Sequence, residues 1–453
     1  MNSIDPTTGQ VIATYAETTP DEVASHLATA TRLQKEWATT DLSVRREHMV
    51  RLADILEQRA DDLAELMALE MGKPVAQGRA EALKCAWVCR YYADEAETIL
   101  EDQHIEAGRT KSYVAYRPLG VVLAVMPWNF PLWQVLRFAA PAMMAGNGVV
   151  LKHASNVTGC AIAIDEMIVE AAFPDGLFRT LVIPSSRVAQ VIEDDAIVAV
   201  TLTGSDIAGR AVASTAGQAL KKTVLELGGS DAYVILEDAD VDLAVQACSA
   251  GRLLNGGQSC IAAKRFIVHQ AVVDEFTAKL VDAMESYQMG NPLDAATQIG
   301  PMARVDLRDE LHDQVVRSVA AGAQLITGGF VPDSPGAFYP PTVLSGVTKG
   351  MAAYSEETFG PVATIVTVAD EEEAIWVAND SVFGLAGAVF TRDVERGEYI
   401  ARDRIESGSC FVNAFAASDP RLPFGGIKMS GYGRELSHIG MREFTNMKTI
   451  VVN

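Results

Sequence analysis

Gly120-Val121-Val122-Leu123-Ala124-Val125-Met126-Pro127-Trp128-Asn129-Phe130-Pro131 is an apolar run that stops between two prolines. Gly120 to Met126 has the length of a strand. Its residues do not alternate between apolar and polar, so both faces of that strand must be covered. The stretches that follow repeat the pattern. A helix is expected from Pro131 to Ala145, a strand from Val149 to Lys152, and a helix from Asn156 to Ala172, closed by Pro174 and Gly176. Strands are expected at Leu177–Ile183 and Ile197–Leu202, a helix reaching about Leu220, and a strand at Val224–Leu227. Strand and helix in alternation imply an α/β fold with a parallel sheet covered on both faces. Ligands of such sheets bind at the carboxyl ends of the strands.

A second αβ block continues from Ala232. A strand at 232–236 and a helix at 240–254 lead into Leu254-Asn255-Gly256-Gly257-Gln258-Ser259-Cys260-Ile261-Ala262. Two glycines allow a tight turn there, and the cysteine can be presented to a pocket. A strand at 265–269 and a helix at 272–287 come next. Upstream of Gly120, residues 20–100 read as helical. Leu52, Ile55, Leu56, Leu63, Leu66 and Met67 lie on one face, and Glu70-Met71-Gly72-Lys73-Pro74 interrupts the pattern. Residues 110–118 alternate like a half-exposed strand. The terminal run Lys448-Thr449-Ile450-Val451-Val452 needs a sheet edge, which a partner subunit could supply.

The chain has 453 residues, 49% hydrophobic and 21% charged, with a net charge of −22. The size suits two or three domains, and the acidity argues against a nucleic-acid partner. The N-terminus lacks a basic segment followed by an apolar one, and no run of about 18 apolar residues occurs. A cytoplasmic protein without membrane attachment is expected. The cysteines, Cys85, Cys89, Cys160, Cys248, Cys260 and Cys410, are scattered, which does not suggest a disulfide framework. Cys85 and Cys89 are one helical turn apart without further ligands at metal spacing. They read as helix packing, and no metal is expected.

Several residues stand where chemistry is plausible. Cys260 is either a nucleophile or a packed thiol. Glu226, between Leu225 and Leu227 at a strand end, is either a general base raised by burial or a salt-bridged acid. Asn129 either stabilises an oxyanion through its amide or caps the helix that begins at Pro131. Lys152, at the end of an apolar strand, either holds ribose or phosphate or is merely solvated. Thr203-Gly204-Ser205-Asp206 opens a helix, with backbone N–H groups available to a pyrophosphate or with Ser205 as an ordinary cap. Neither Gly-x-Gly-x-x-Gly at a strand-to-helix turn nor a Walker A motif occurs.

Together these segments resemble the NAD(P)-dependent aldehyde dehydrogenase superfamily. The resemblance rests on Asn255-Gly256-Gly257-Gln258-Ser259-Cys260, Leu225-Glu226-Leu227-Gly228-Gly229, Pro127-Trp128-Asn129-Phe130-Pro131 and Thr203-Gly204-Ser205. It also includes Glu356-Glu357-Thr358-Phe359-Gly360-Pro361 and Pro423-Phe424-Gly425-Gly426, in the family's order along essentially the whole chain. It implies a Rossmann-like cofactor domain (1–109 and 124–227), a catalytic α/β domain (228–420) and a small β oligomerisation arm (110–123 and 434–453). A homodimer or homotetramer follows from that arm. Cys260 would attack the aldehyde, and Asn129 with the Cys260 N–H would hold the oxyanion. Glu226 would activate the hydrolytic water. Trp128, Lys152, Ser155, Gly204, Ser205, Leu227, Glu357 and Phe359 would line the cofactor site.

Cofactor and substrate follow from finer features of the resemblance. Ser155 stands where NAD-preferring members commonly carry a glutamate, which removes a charge that would repel a 2′-phosphate. NADP is therefore the expected cofactor, with NAD possible. Lys152-His153-Ala154-Ser155 is most similar to short bacterial and cyanobacterial succinate-semialdehyde dehydrogenases. Arg137 and Ser418 match residues that take the substrate carboxylate there. Leu254 replaces an arginine of the longer enzymes, which leaves glutarate semialdehyde or an uncharged aldehyde as alternatives. A non-redox cysteine hydrolase or acyltransferase is the alternative from another class, and a non-catalytic binding protein a further one.

Overall fold

The alternating segments fold into two sheets wrapped by helices. The computed structural model describes residues 1–453. In the first sheet the strands lie in the order Gly431–Tyr432, Lys222–Glu226, Ile197–Thr203, Val121–Met126, Gly148–His153 and Phe178–Thr180. All neighbours run parallel except Gly431–Tyr432, which is antiparallel to Lys222–Glu226. The chain enters this sheet in its middle, at Val121–Met126, and builds outward on one side before crossing to the other. The reversal falls between Val121–Met126 and Ile197–Thr203. A crevice opens there at the carboxyl ends. Val122, Leu123 and Ala124 are wholly buried, which explains a run without alternation.

Helices 42–58, 60–71 and 133–144 pack against the long helix Val75–Leu100. Helix Trp133–Met144 is buried along its whole length. The interruption expected near Gly72 is real: helix Ala60–Met71 ends on Gly72 in the left-handed conformation, φ 77°. The first residues form a hairpin, Asn2–Ile4 with Val11–Thr14, and its Ser3 hydroxyl donates to Glu70 over 2.6 Å.

The second sheet has the order Gln324–Thr327, Thr342–Ser345, Val362–Val368, Ala263–His269, Asp231–Ile235, Ala386–Phe390 and Ser409–Val412. It is parallel apart from the antiparallel edge strand Gln324–Thr327. The turn carrying Cys260 lies just before the central strand Ala263–His269.

A third, three-stranded sheet pairs Thr445–Val452 with Lys111–Pro118 and that strand with Gln103–His104. Two expectations change here. The terminal strand finds its edge within its own chain, in register from Thr445 opposite Pro118 to Val452 opposite Lys111. The arm is also narrower than 110–123 and 434–453. Residues 121–123 belong to the first sheet, as their apolar pattern requires. Leu436, Met441 and Phe444 are buried in the main core beside helix Val75–Leu100. No helix is long and apolar enough to cross a membrane.

Asn147 ties these pieces together. Its Oδ1 accepts from the Leu119 and Gly120 N–H groups, at 2.9 and 3.1 Å. Its Nδ2 donates to the Ala142 and Phe444 carbonyls, at 3.1 and 3.0 Å. Asn147→Ala strands two backbone donors at the base of the central strand. The expected loss is about 2–4 kcal/mol, read as a lower midpoint in urea unfolding. An unchanged midpoint would remove Asn147 from this role.

Candidate active site

Cys260 stands where two cavities meet. A cleft of about 510 Å³ opens at the crevice of the first sheet, and a pocket of about 320 Å³ lies behind it. Cys260 and Gln134 line both. Backbone geometry places the cysteine. Asn255, Gly256 and Gly257 are successive left-handed residues, at φ 56°, 61° and 76°. At Gly257 a Cβ would fall 2.3 Å from the Gly360 carbonyl oxygen, so only glycine fits. The loop is then fastened from inside. Buried Arg252 donates to the Gly257 carbonyl at 2.6 Å, and the Gln258 Oε1 accepts from the Ala303 N–H at 2.9 Å.

Burial pushes the Cys260 thiol up to about 11, with Arg137 and Lys264 pulling it back. The resting sulfur is therefore protonated at neutral pH. Lys264 Nζ donates to the Cys260 carbonyl at 2.6 Å and lies 2.9 Å from Glu357 Oε1. The Cys260 backbone N–H, on the wall of both cavities, donates to no protein acceptor. That orphan donor is what an oxyanion site requires.

Asn129 is clamped beside it. Its Nδ2 donates to the Gln258 carbonyl at 3.1 Å, and its Oδ1 accepts from Gln134 Nε2 at 2.9 Å. One N–H of the amide remains free. The Asn129 carbonyl accepts from Asn255 Nδ2 at 2.8 Å and Lys73 Nζ at 2.9 Å. Lys73 is ion-paired with Glu81, and both side chains are buried. Glu81 in turn accepts from the Leu132 and Trp133 N–H groups, at 2.9 and 3.0 Å. So Glu81, and not Asn129, satisfies the start of helix Trp133–Met144.

Glu226 is placed differently from Cys260 and Asn129. It ends strand Lys222–Glu226 but lines neither cavity. Its carboxylate oxygens are buried without hydrogen-bond partners, and a Cβ on Gly425 would lie 2.6 Å from Oε1. Burial, then repulsion by Glu435, raises it well above the usual carboxylate range, while Arg137 and Arg434 oppose. Its protonated form is therefore favoured at rest.

Trp128, Gly204, Ser205, Leu227, Glu357 and Phe359 do converge on the cleft. Ser205 caps helix Asp206–Gln218 through Ala208 N–H at 3.3 Å, as the cap expectation has it, and lines the cleft as well. Glu357 folds over the Gly228-Gly229 turn, accepting from Gly229 N–H at 3.0 Å. A Cβ at Gly228 would meet Glu357 at 2.2 Å. Trp128 and Phe359 meet edge to face, 5.7 Å between centroids. Lys152 and Ser155 lie outside the cleft lining, on and just after the neighbouring strand Gly148–His153. Lys152 is half-buried and forms no ion pair, and burial alone lowers its pKa. His153, buried and held neutral near 4, bridges Ala154 N–H at 2.9 Å and the Pro131 carbonyl at 2.9 Å. With Nδ1 accepting, Nε2 carries the proton.

Arg137 lines the second pocket but has a partner of its own. Its guanidinium pairs with buried Glu435, donates to Thr203 Oγ1 at 3.1 Å and stacks over Phe424. Ser418 lines the same pocket and accepts from Lys84 Nζ at 2.8 Å. Leu254 sits at this pocket, 41% exposed. Lys73, Glu81, Lys84 and Glu435 escape sequence reasoning. Two of them, Glu81 and Lys84, carry a signal in hindsight: with Gln77 they recur at helical spacing on one face of helix Val75–Leu100.

An aldehyde-type cysteine site between two doubly wound sheets is what the comparisons also indicate. The profile of the Aldehyde dehydrogenase family matches residues 1–450, and the chain belongs to that family. The succinate-semialdehyde dehydrogenase [NADP(+)] 1 of Mycobacterium tuberculosis is 48% identical over 99% of this chain and 98% of its own. A probable enzyme of the same name from Synechocystis sp. is also 48% identical, over 99% of this chain and 98% of its own. The crystal structure of the succinic semialdehyde dehydrogenase of Streptococcus pyogenes with NADP+ superposes with a TM-score of 0.97. It is 40% identical and covers 100% of this chain and 99% of its own.

Two outcomes follow from the clamp and the thiol. Glu81→Ala leaves Lys73 charged, buried and unpaired, which should lower stability by about 3–5 kcal/mol. Thermal unfolding together with aldehyde turnover would show it, and intact stability would contradict the pairing. Alkylation of Cys260 by iodoacetamide should quicken about tenfold per pH unit from 7 to 10 without a plateau, since only thiolate reacts. A plateau near 8.5, the ordinary thiol value, would mean that the sulfur is not desolvated.

Proposed function

We propose that the protein oxidises succinate semialdehyde to succinate with NADP as the cofactor. The observation that carries the reading is Cys260 at the junction of a dinucleotide-sized cleft and a cation-lined pocket. The 48% identity to NADP-dependent succinate-semialdehyde dehydrogenases over nearly the full length supports it. The donor set fits the cofactor: a capped helix start at Ser205, the Gly228-Gly229 turn held close under the Glu357 carboxylate, and a half-buried lysine without a counter-ion. Lys152 and Ser155 would hold the adenosine ribose and its 2′-phosphate, and Glu357 the nicotinamide ribose. When bound, the nicotinamide supplies the hydride acceptor.

The protein's own residues do the rest. Cys260 loses its proton and its sulfur bonds to the aldehyde carbon, giving a thiohemiacetal. Charge builds on the former carbonyl oxygen, where the free Asn129 N–H and the orphan Cys260 N–H can receive it. After oxidation the acyl group is held as a thioester. Glu226 must turn out from Gly425 and ionise before it can take a proton from water. The attack then releases succinate and returns the thiol. Ser418 and Arg137 line the end of the pocket that would receive the distal carboxylate.

By this reading the first sheet and its helices bind cofactor, and the second contributes the cysteine and Glu357. The β arm joins subunits into a homodimer or homotetramer through the outer edge of Thr445–Val452, in the cytoplasm. The test is parallel NADPH and NADH formation over succinate semialdehyde, glutarate semialdehyde and butanal. The highest kcat/KM is expected for succinate semialdehyde with NADP. Equal rates on butanal, or a preference for NAD, would defeat the corresponding half of the proposal. Thioester or ester cleavage without nucleotide would instead favour a hydrolase.

A further inference from the structure

The second pocket is walled mainly by apolar side chains, among them Phe130, Trp133, Ile261, Phe415 and Phe424. Three cations reach it: Lys73, Lys84 and Arg137. Two have buried carboxylate partners, Lys73 with Glu81 and Arg137 with Glu435. Lys84 has none. Its Nζ donates to Ser418 Oγ at 2.8 Å and lies 4.3 Å from the centre of the Trp133 ring.

The groups facing Lys84 cannot neutralise it. Glu81, on the same helix, is engaged by Lys73 and by the Leu132 and Trp133 N–H groups. Asp419, on the loop after Ser418, is paired with Arg421. Arg137, on the facing helix, repels it, and Cys85 beside it is a buried thiol pushed well up. Burial pulls Lys84 down to about 8. An enclosed ammonium without a counter-ion is unfavourable, and it becomes favourable when an anion arrives. A serine hydroxyl held on that ammonium is a second donor once the anion accepts from both.

We propose that Lys84, held on Ser418, is a further carboxylate-binding residue of the aldehyde pocket, acting beside Arg137. This assignment rests on the succinate-semialdehyde reading above and names a residue that sets its charge preference. The ligand it selects is a short ω-carboxylated aldehyde, whose CHO end meets Cys260 while its carboxylate sits between Lys84 and Ser418.

The test compares kcat/KM for succinate semialdehyde and for butanal, which has the same chain length without the charge. In Lys84→Met the ratio of the two should fall by about 10–100-fold, the worth of a charge-assisted hydrogen bond, with the loss in KM for the charged aldehyde. Lys84→Arg should keep most of the ratio. The unmodified enzyme gives a reading that needs no variant. Its ratio should fall as pH rises through about 8, because kcat/KM reports the free enzyme and shared groups such as Cys260 cancel. A ratio retained in Lys84→Met, or one flat with pH in the unmodified enzyme, overturns the assignment. If the unmodified enzyme shows no preference for succinate semialdehyde at pH 7, the substrate reading falls and takes the assignment with it. Preference present but indifferent to Lys84 overturns the assignment alone.

Discussion

The buried Lys73–Glu81 pair is the constraint from which the site is built. An ion pair in the interior is a poor source of net stability, because desolvation offsets most of its attraction. Its value here is positional. Glu81 turns its other oxygen to the first N–H groups of helix Trp133–Met144, and Lys73 gives a second of its three donors to the Asn129 carbonyl. One pair thus fixes the helix that lines the aldehyde pocket and the tripeptide that carries the oxyanion donor. Asn255 reaches the same Asn129 carbonyl from the cysteine loop. The two donors proposed for the oxyanion are therefore referenced to one backbone atom, although they come from different sheets.

A second cluster, Glu226, Glu435 and Arg137, governs ionisation. Two buried carboxyls flank one guanidinium, and both are raised by burial. Arg137 pairs with Glu435, and burial together with Glu435 keeps Glu226 well above the usual carboxylate range. With the thiol also protonated, the resting site holds its nucleophile and its base in inactive forms. Each has to be activated by what enters the cavities or by a side-chain movement. That arrangement limits adventitious reaction of a sulfur that faces two cavities.

The architecture was legible from strand 121–126 onward because burial on both faces leaves an unbroken apolar signature. Element ends moved by a few residues, as at Phe178–Thr180, where the strand is shorter than Leu177–Ile183. The arm is narrower than neighbourhood in the chain suggests, because residues 121–123 pair within the first sheet and Leu436, Met441 and Phe444 pack in the main core. Cys260, Asn129 and the cleft residues were readable because turn chemistry and strand ends are local features. Lys73, Glu81 and Lys84 were not. A lysine in a helical sequence reads as solvated, and only tertiary packing shows that these ammonium groups are enclosed. Arg137 illustrates the converse: its position was correct for the pocket, but its partner, Glu435, is almost 300 residues away in the chain.

The meeting of two cavities at one sulfur separates traffic by direction. On the proposed reading the aldehyde would come from the helical side, through a mouth bordered by Leu254, and the dinucleotide from the sheet's carboxyl edge. Neither guest has to cross the other's path. A spent dinucleotide can leave while the acyl group is still on the cysteine, and the acid can depart by its own door afterwards. Inhibitors could then be built as plugs for either mouth, with different competition patterns against the two guests. A compound that passed the sulfur and filled both would compete with each of them.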